Sequence, residues 1–284
     1  MKIDSARVEQ IREILLKEKQ ARQIETTNRY ETFRISFHGG LIIGYSSGKL
    51  VITGNESRAL VTRSIQRMGF DVTGFDITIG SDEAGKGEWL GPMVAAAVAL
   101  TPEQSTVLRS LGVMDSKALS QTRIAELKDK VTQNATALKT VLVSPPTFNK
   151  RVEDLHREGK NLNDMLAWAH AKVISAVHAE LRQGESGLRI RVVIDEFSKL
   201  KTEDRLGRVL QLDSVELIQR PRAEDEIAVA AASIVARGLR EEWIDDKSRR
   251  LGIDLRVLTV KDAVLHSDAG GFAKISYLRK LATH

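Results

Sequence analysis

Two carboxylates stand side by side in the stretch IGSDEAGKGEWLGPMVAAAVAL, Ile79 to Leu100: Asp82 and Glu83, set between a β-type run (Phe75 to Ser81) and the turn Gly85-Lys86-Gly87. Paired acids beside a glycine-flanked loop suit divalent-metal chemistry on a phosphate. Mg²⁺ and Mn²⁺ take oxygen ligands and bridge to phosphate oxygens, and glycine lets backbone N–H groups approach an anion. A solvated turn that happens to contain an Asp-Glu pair accounts for the same residues. Two further acidic positions bear on the choice. Val192-Val193-Ile194 runs into Asp195-Glu196, a second buried-type strand ending in carboxylates, and in open α/β sheets ligands gather at strand ends. Glu224-Asp225-Glu226 opens an alanine-rich helix, where the helix dipole favours acids whatever their role.

Other chemistries fit less of the chain. Gly80 to Lys86 reads G-x-x-x-x-G-K, the phosphate-loop pattern up to its last position, where Gly87 replaces Ser or Thr. Such a loop needs a helix directly after the lysine, and Glu88-Trp89-Leu90-Gly91-Pro92 is a poor helix start. Nucleotide binding therefore stands as an alternative. A glycosidase also uses two carboxylates, but gives no reason for the glycine-lysine loop. The histidines (His38, His156, His170, His178, His266, His284) form no metal-ligand spacing and read as surface or helix-face residues; Trp89, Trp168 and Trp243 read as core or edge packing. Lys117, in Met114-Asp115-Ser116-Lys117, is either a phosphate contact or a solvated loop lysine.

The elements that must position these residues fall into two groups. Val8, Ile11 and Leu15 lie at helical spacing within residues 4 to 22, with Asp4 or Ser5 as N-cap. Tyr30 to Phe37, Leu41 to Tyr45 and Lys49 to Thr53 form a three-strand meander, followed by a helix over Ser57 to Met68 that Gly69 is placed to end. Residues 1–74 thus read as a small α+β module, joined through Val72-Thr73-Gly74 to a domain over 75–284. There, strands at Met93 to Leu100, Leu138 to Val143 (ended by Pro145-Pro146), Leu188 to Asp195 and Val215 to Gln219 alternate with helices. The helices are expected at Glu103 to Ser110, Thr122 to Val131, Asn163 to Gln183, Ile227 to Trp243 and Phe272 to Leu281. This pattern predicts an α/β domain with a central mixed sheet.

Composition sets the frame. The 284 residues, 42% hydrophobic and 29% charged, allow one large or two ordinary domains with a substantial core. The absence of cysteine excludes disulfides, thiolate metal sites and cysteine nucleophiles. No run approaches the ~18 apolar residues of a membrane span, and MKIDSARVEQ lacks an export core, so a cytoplasmic protein without membrane attachment is expected. The net charge of +5 suits a polyanionic partner. The first 76 residues are the more basic part, with 12 Lys and Arg against 9 Asp and Glu.

IGSDEAGKGEWLGP, MDSKALS, NLNDMLAWAH, VVIDEF and PRAEDEIAVAAASIVAR, running through residues 79–241, resemble in order and spacing the type 2 ribonucleases H, ribonuclease HIII above all. The resemblance implies an RNase H-like catalytic domain over 75–284 and a TATA-binding-protein-like substrate-binding domain over 1–74. It implies hydrolysis of the RNA strand of RNA/DNA hybrids by two Mg²⁺ or Mn²⁺ ions, leaving 3′-hydroxyl and 5′-phosphate ends. The metal ligands it implies are Asp82, Glu83, Asp195 and Glu224, with Glu at the last position pointing to ribonuclease HIII. Substrate contacts are expected from Gly85, Lys86, Gly87, Ser116 and Lys117, and from Tyr45 and Lys49 in the small domain. Lys86 departs from the Arg or Thr that family members carry between the two glycines. No obligate protein partner is evident, and a monomer is expected. A hybrid-binding protein without activity is the further alternative, against which the intact acidic set stands.

Overall fold

The computed structural model describes residues 8–72, 75–113, 119–184, 187–195, 207, 215–220 and 223–282, with the backbone alone for residues 62, 65–72, 184 and 224. Ser116 and Lys117, the helix start at Asp4 or Ser5, and Thr73-Gly74 lie outside the described residues. Contacts divide the chain into two compact units, Met1–Gly74 and Phe75–His284.

The first unit is a four-stranded antiparallel sheet with two helices. Helix α1 (Val8–Leu15) buries Val8, Ile11 and Leu15, as their spacing demands. Strands β1 (Arg22–Ile24), β2 (Glu31–Phe37), β3 (Gly40–Tyr45) and β4 (Leu50–Ile52) follow in spatial order, and α2 (Asn55–Val72) closes the unit. The alternation in β2 sends Phe33, Ile35 and Phe37 into a core with Ile42, Leu50, Leu60 and Val61. Two expectations are corrected. The meander gains a fourth strand, β1, whose three residues are all exposed and so carry no alternation to read. The first helix, expected within residues 4 to 22, ends at Leu15, and β1 begins at Arg22. Helix α2 also continues past Gly69 to Val72, since one glycine costs a helix only about 1 kcal/mol.

The second unit is a five-stranded mixed sheet between helices. Its strands are β5 (Ile77–Ala84), β6 (Met93–Leu100), β7 (Ala137–Val143), β8 (Ile190–Asp195) and β9 (Val215–Arg220), in the order β7-β6-β5-β8-β9. β5 pairs antiparallel with β6 and parallel with β8. One face is covered by α3 (Pro102–Ser110), α4 (Gln121–Asn134) and the alanine-rich α7 (Ile227–Leu251), the other by α6 (Leu162–Gly184). Every residue of β6 is buried, as a strand sandwiched between helical layers requires. Its alanines let both layers approach, while each buried Ile or Leu around them contributes about 1.5–3 kcal/mol.

Pro145-Pro146 does more than end β7: it opens a helix the sequence did not announce, α5 (Pro145–Arg157), with proline in its first turn. The C-terminal segment forms α8 (Val260–Leu265), α9 (Ala269–Phe272) and α10 (Ile275–Ala282); the last two replace the single helix expected over Phe272 to Leu281. No helix among the described residues is long and apolar enough to cross a membrane.

Candidate active site

Strand β5 does not stop at Ser81; it runs through Asp82 and Glu83 to Ala84, so both acids are strand residues with opposite orientations. Gly80 and Asp82 face α7, where the Ser233 hydroxyl hydrogen-bonds to Asp82. Ser81 and Glu83 face α6, where both meet His170. The parallel register Ser81↔Ile194 makes Asp82 and Asp195 the next residues on adjacent strands. In β8, Ile190, Val192 and Ile194 pack on the α6 side, so Asp195 shares the α7 side with Asp82. The parallel pairing of β5 and β8 thus leads into two carboxylates on one face, while Glu83 lies on the other face against His170.

The third acidic cluster reaches the same place by a short 3₁₀ turn, Ala223–Asp225. The Ala223 N–H donates to Asp195 Oδ1 at 3.4 Å, which brings the backbone carrying Glu224 to the end of β8. Its neighbours are occupied: Asp225 pairs with Arg220, and Glu226 with Arg191 at 2.9 Å. Ion pairing accounts for those two acids, and Glu226, at the N-cap of α7, makes no side-chain capping hydrogen bond.

Adjacency and burial split the acids of β5. Burial and the charge of Glu83 push Asp82 up to about 7, against the Ser233 hydrogen bond. Burial also pushes Glu83 upward, but hydrogen bonding and charge from His170, with Lys86 adding to both, hold it well below the usual carboxylate range. His170 Nε2 lies 2.8 Å from Glu83 Oε2, and Lys86 Nζ lies 2.6 Å from Oε1. His170 is 1% exposed, which overturns the surface half of its reading; it lies on the buried face of helix α6. The signal was present in the sequence, since His170 lies midway between Leu166 and Ile174 on the stripe that α6 buries. Trp89 and Trp243 pack in the C-terminal core as expected, whereas Trp168 is 39% exposed with Lys172 Nζ 5.4 Å from its ring.

The loop after the acids is held from three sides. Gly85 has φ +81°, and a Cβ there would fall 2.2 Å from the Pro92 carbonyl oxygen, so only glycine makes this turn. Exposed Gly87 has nothing within 4 Å of where its Cβ would stand, leaving room for an approaching group. Arg240 on α7 donates to Leu90 O at 3.0 Å. Lys274, between α9 and α10, donates its ammonium to Glu88 O and Gly91 O at 2.9 and 2.6 Å and its backbone N–H to Trp89 O at 2.7 Å. The region from Leu251 onward, to which the sequence assigned no site, thus braces this loop. β6 follows, where a phosphate-binding loop would need a helix, so the nucleotide-loop pattern has no structural counterpart.

In the first unit, Tyr45 and Lys49 flank a tight turn: Tyr45 N–H donates to Lys49 O, and Gly48 N–H to Tyr45 O. The sequence missed their neighbours. Ser46 N–H donates to Tyr30 O, and Tyr30 is 57% exposed beneath Arg29, whose guanidinium lies 4.8 Å from its ring centroid. Glu31 fixes this corner by accepting from Thr27, Asn28 and Arg34.

For a metal, the donors are the right kind: carboxylate oxygens, one with its charged form disfavoured until a cation arrives. Among the described residues no group of three His, Asp or Glu side chains is close enough to hold an ion, and the Glu224 side chain lies outside them. The converging strand ends and the chemistry of the donors fit a hard divalent cation.

The family model for ribonuclease HII matches residues 79–258, the span that holds all of these acids. Ribonuclease HIII of Protochlamydia amoebophila is 35% identical over 253 residues, covering 86% of this chain and 80% of the relative. Ribonuclease HIII of Chlamydia pneumoniae is 33% identical over 204 residues, covering 68% and 64%. The crystal structure of Bst-RNase HIII in complex with Mn²⁺ superposes with a TM-score of 0.64 over 97% of this chain and 96% of that one; at 21% identity this is a likeness of fold. With a family model spanning most of the second unit and a relative matched along most of both chains, the chain belongs to the type 2 ribonucleases H, the family of ribonucleases HII and HIII.

Proposed function

We propose that Asp82, Glu83, Asp195 and Glu224 form the metal-binding centre with which this ribonuclease H cuts the RNA strand of RNA/DNA hybrids. The observation that carries the assignment is the shared register of β5 and β8, whose parallel pairing leads directly into Asp82 and Asp195 on the same face. Bound Mg²⁺ or Mn²⁺, as a pair of ions, would supply Lewis acidity at the scissile phosphate and a water acidic enough to attack near neutral pH. The protein's part is to aim the oxygens: Asp82 through Ser233, Glu83 through His170, and Asp195 through the Ala223 N–H. Hydrolysis adds water across the P–O3′ bond, giving 3′-hydroxyl and 5′-phosphate ends. Gly85, Lys86 and Gly87 would line the scissile phosphate and the 2′-hydroxyl that distinguishes RNA from DNA, with room for an approaching group beside exposed Gly87. Ser116 and Lys117 would contact the phosphates. The first unit would serve substrate capture, with Tyr45, Lys49, Arg29 and Tyr30 offering aromatic and basic groups at one corner. A cytoplasmic monomer is the simplest form of such an enzyme.

The test is cleavage of labelled RNA/DNA hybrid, DNA duplex and single-ribonucleotide duplex with Mg²⁺ or Mn²⁺. Asp82→Asn and Asp195→Asn should each abolish cleavage while hybrid binding survives, because an amide keeps the shape and removes the charge that holds the ions. Turnover above about a tenth of wild type in either variant rules that residue out as a ligand. A Tyr45→Ala, Lys49→Ala double variant should raise KM and spare kcat; an unchanged KM removes the capture role from this corner.

A further inference from the structure

We infer that His170, anchored by Ser81, is a positioning residue of the acidic centre: it holds one oxygen of Glu83 so that the other faces the metal. The inference rests on the proposed assignment of Glu83 as a ligand and concerns what fixes that ligand. His170 Nδ1 lies 2.8 Å from Ser81 Oγ, which is 2.8 Å from Ala96 O on β6; His170 Nε2 lies 2.8 Å from Glu83 Oε2. The chain of contacts is buried throughout: Ser81 is 0% and His170 1% exposed, and the Glu83 side chain 6%.

Hydrogen counting makes the direction of the last contact independent of the tautomer. Ser81 has one hydroxyl hydrogen. If it points to Ala96 O, then Nδ1 must carry a hydrogen to meet Oγ, and Nε2 must carry one to meet a carboxylate. If it points to Nδ1, the neutral ring carries its single hydrogen on Nε2. Either way Nε2 donates to Glu83, a hydrogen bond to an ionised acceptor and therefore one of the stronger kind. Its anchors are rigid, because Ser81 and Ala96 lie in adjacent interior strands of the sheet and His170 lies within α6. The other carboxylate oxygen, Oε1, meets Lys86, whose side chain is 46% exposed, and so lies toward the open side of the site. A hydrogen-bonding partner of this kind behind a metal ligand sets ligand orientation, and removing one typically costs about 10–100-fold in metal affinity.

Calorimetric titration of Mn²⁺ into the full-length protein without nucleic acid tests this, using wild type, Asp82→Asn and His170→Ala, →Gln and →Asn, with circular dichroism to compare folding. The Gln amide nitrogen reaches the place of Nε2 and can donate to Glu83, whereas Asn reaches only the place of Nδ1 beside Ser81. His170→Ala and His170→Asn should lose about 10–100-fold in Mn²⁺ affinity, and His170→Gln should recover most of it. A role limited to filling the core would not separate Gln from Asn, so equal affinities for those two overturn the inference even if the Ala variant does not fold. Wild-type affinity in His170→Ala or His170→Asn, with affinity lost in Asp82→Asn, overturns it while leaving the acidic centre standing. Wild-type affinity in Asp82→Asn overturns the metal assignment itself, and the inference with it.

Discussion

Gly80 lies so close to Ala228 that a Cβ on it would fall 2.1 Å from the Ala228 carbonyl carbon and 2.2 Å from the Val229 nitrogen. Backbone meets backbone here: α7 lies directly on β5, two residues before Asp82, and places Ser233 beside that carboxylate. Gly80→Ala must push the helix outward, since no flexible side chain can yield. We expect about 1–3 kcal/mol of destabilisation, together with lower kcat at saturating hybrid as Ser233 leaves Asp82. Urea midpoints and single-turnover rates measure the two effects; a variant within about 0.5 kcal/mol of wild type would show that the helix–strand contact is not tight.

Lys274 offers a pH signature. It is fully buried, and burial, assisted by the charge of Arg240 and opposed by Glu88, pushes its ammonium down from 10.5 to about 7. A neutral amine still has two hydrogens, enough for Glu88 O and Gly91 O. Between about pH 7 and 10.5 the unfolded chain holds a proton that the native state has released, so stability from this group rises with pH across that window and is flat below it. The slope is at most about 1.4 kcal/mol per pH unit. Lys274→Met should remove this rise; denaturant unfolding from pH 7 to 10 compares the two proteins, and identical slopes count against a depressed lysine.

The parts of the site that were legible in the sequence are those in which one residue type has one physical reason. An acid directly after a buried-type apolar run has few reasons to be there, so Asp82 and Asp195 could be named before their register was known. That Asp82 and Glu83 would point to opposite faces followed only once β5 was seen to run on to Ala84. The spacing of His170 between Leu166 and Ile174 marks its burial, but its role stayed hidden because its partners Ser81 and Glu83 are distant in the chain. Lys274 was invisible for a related reason. Its ligands are main-chain carbonyls, Glu88 O and Gly91 O, which leave no trace in side-chain identity. In the first unit, β1 was missed because an exposed edge strand pairs through its backbone and needs no alternation.

Lys86 occupies Glu83 Oε1 at 2.6 Å and also feels the charges of Asp82 and Asp195. A side chain expected to touch substrate phosphate is therefore, before substrate or metal arrives, a counter-ion to the acids. The two roles are sequential. A divalent cation held by Glu83 would compete with the ammonium, which is 46% exposed and would then turn to an incoming phosphate. Lys86→Ala should accordingly tighten Mn²⁺ binding about fivefold, the scale of a partly exposed ion pair. In an Asp195→Asn background that blocks cleavage, it should also weaken hybrid binding and reduce the salt dependence by about one unit of slope, as for one lost phosphate contact. Calorimetry reads the first effect and anisotropy across a salt series the second. Tighter metal binding with an unchanged slope would confine Lys86 to Glu83; a reduced slope with unchanged metal affinity would make the pair with Glu83 incidental to metal binding and leave Lys86 as a phosphate contact alone.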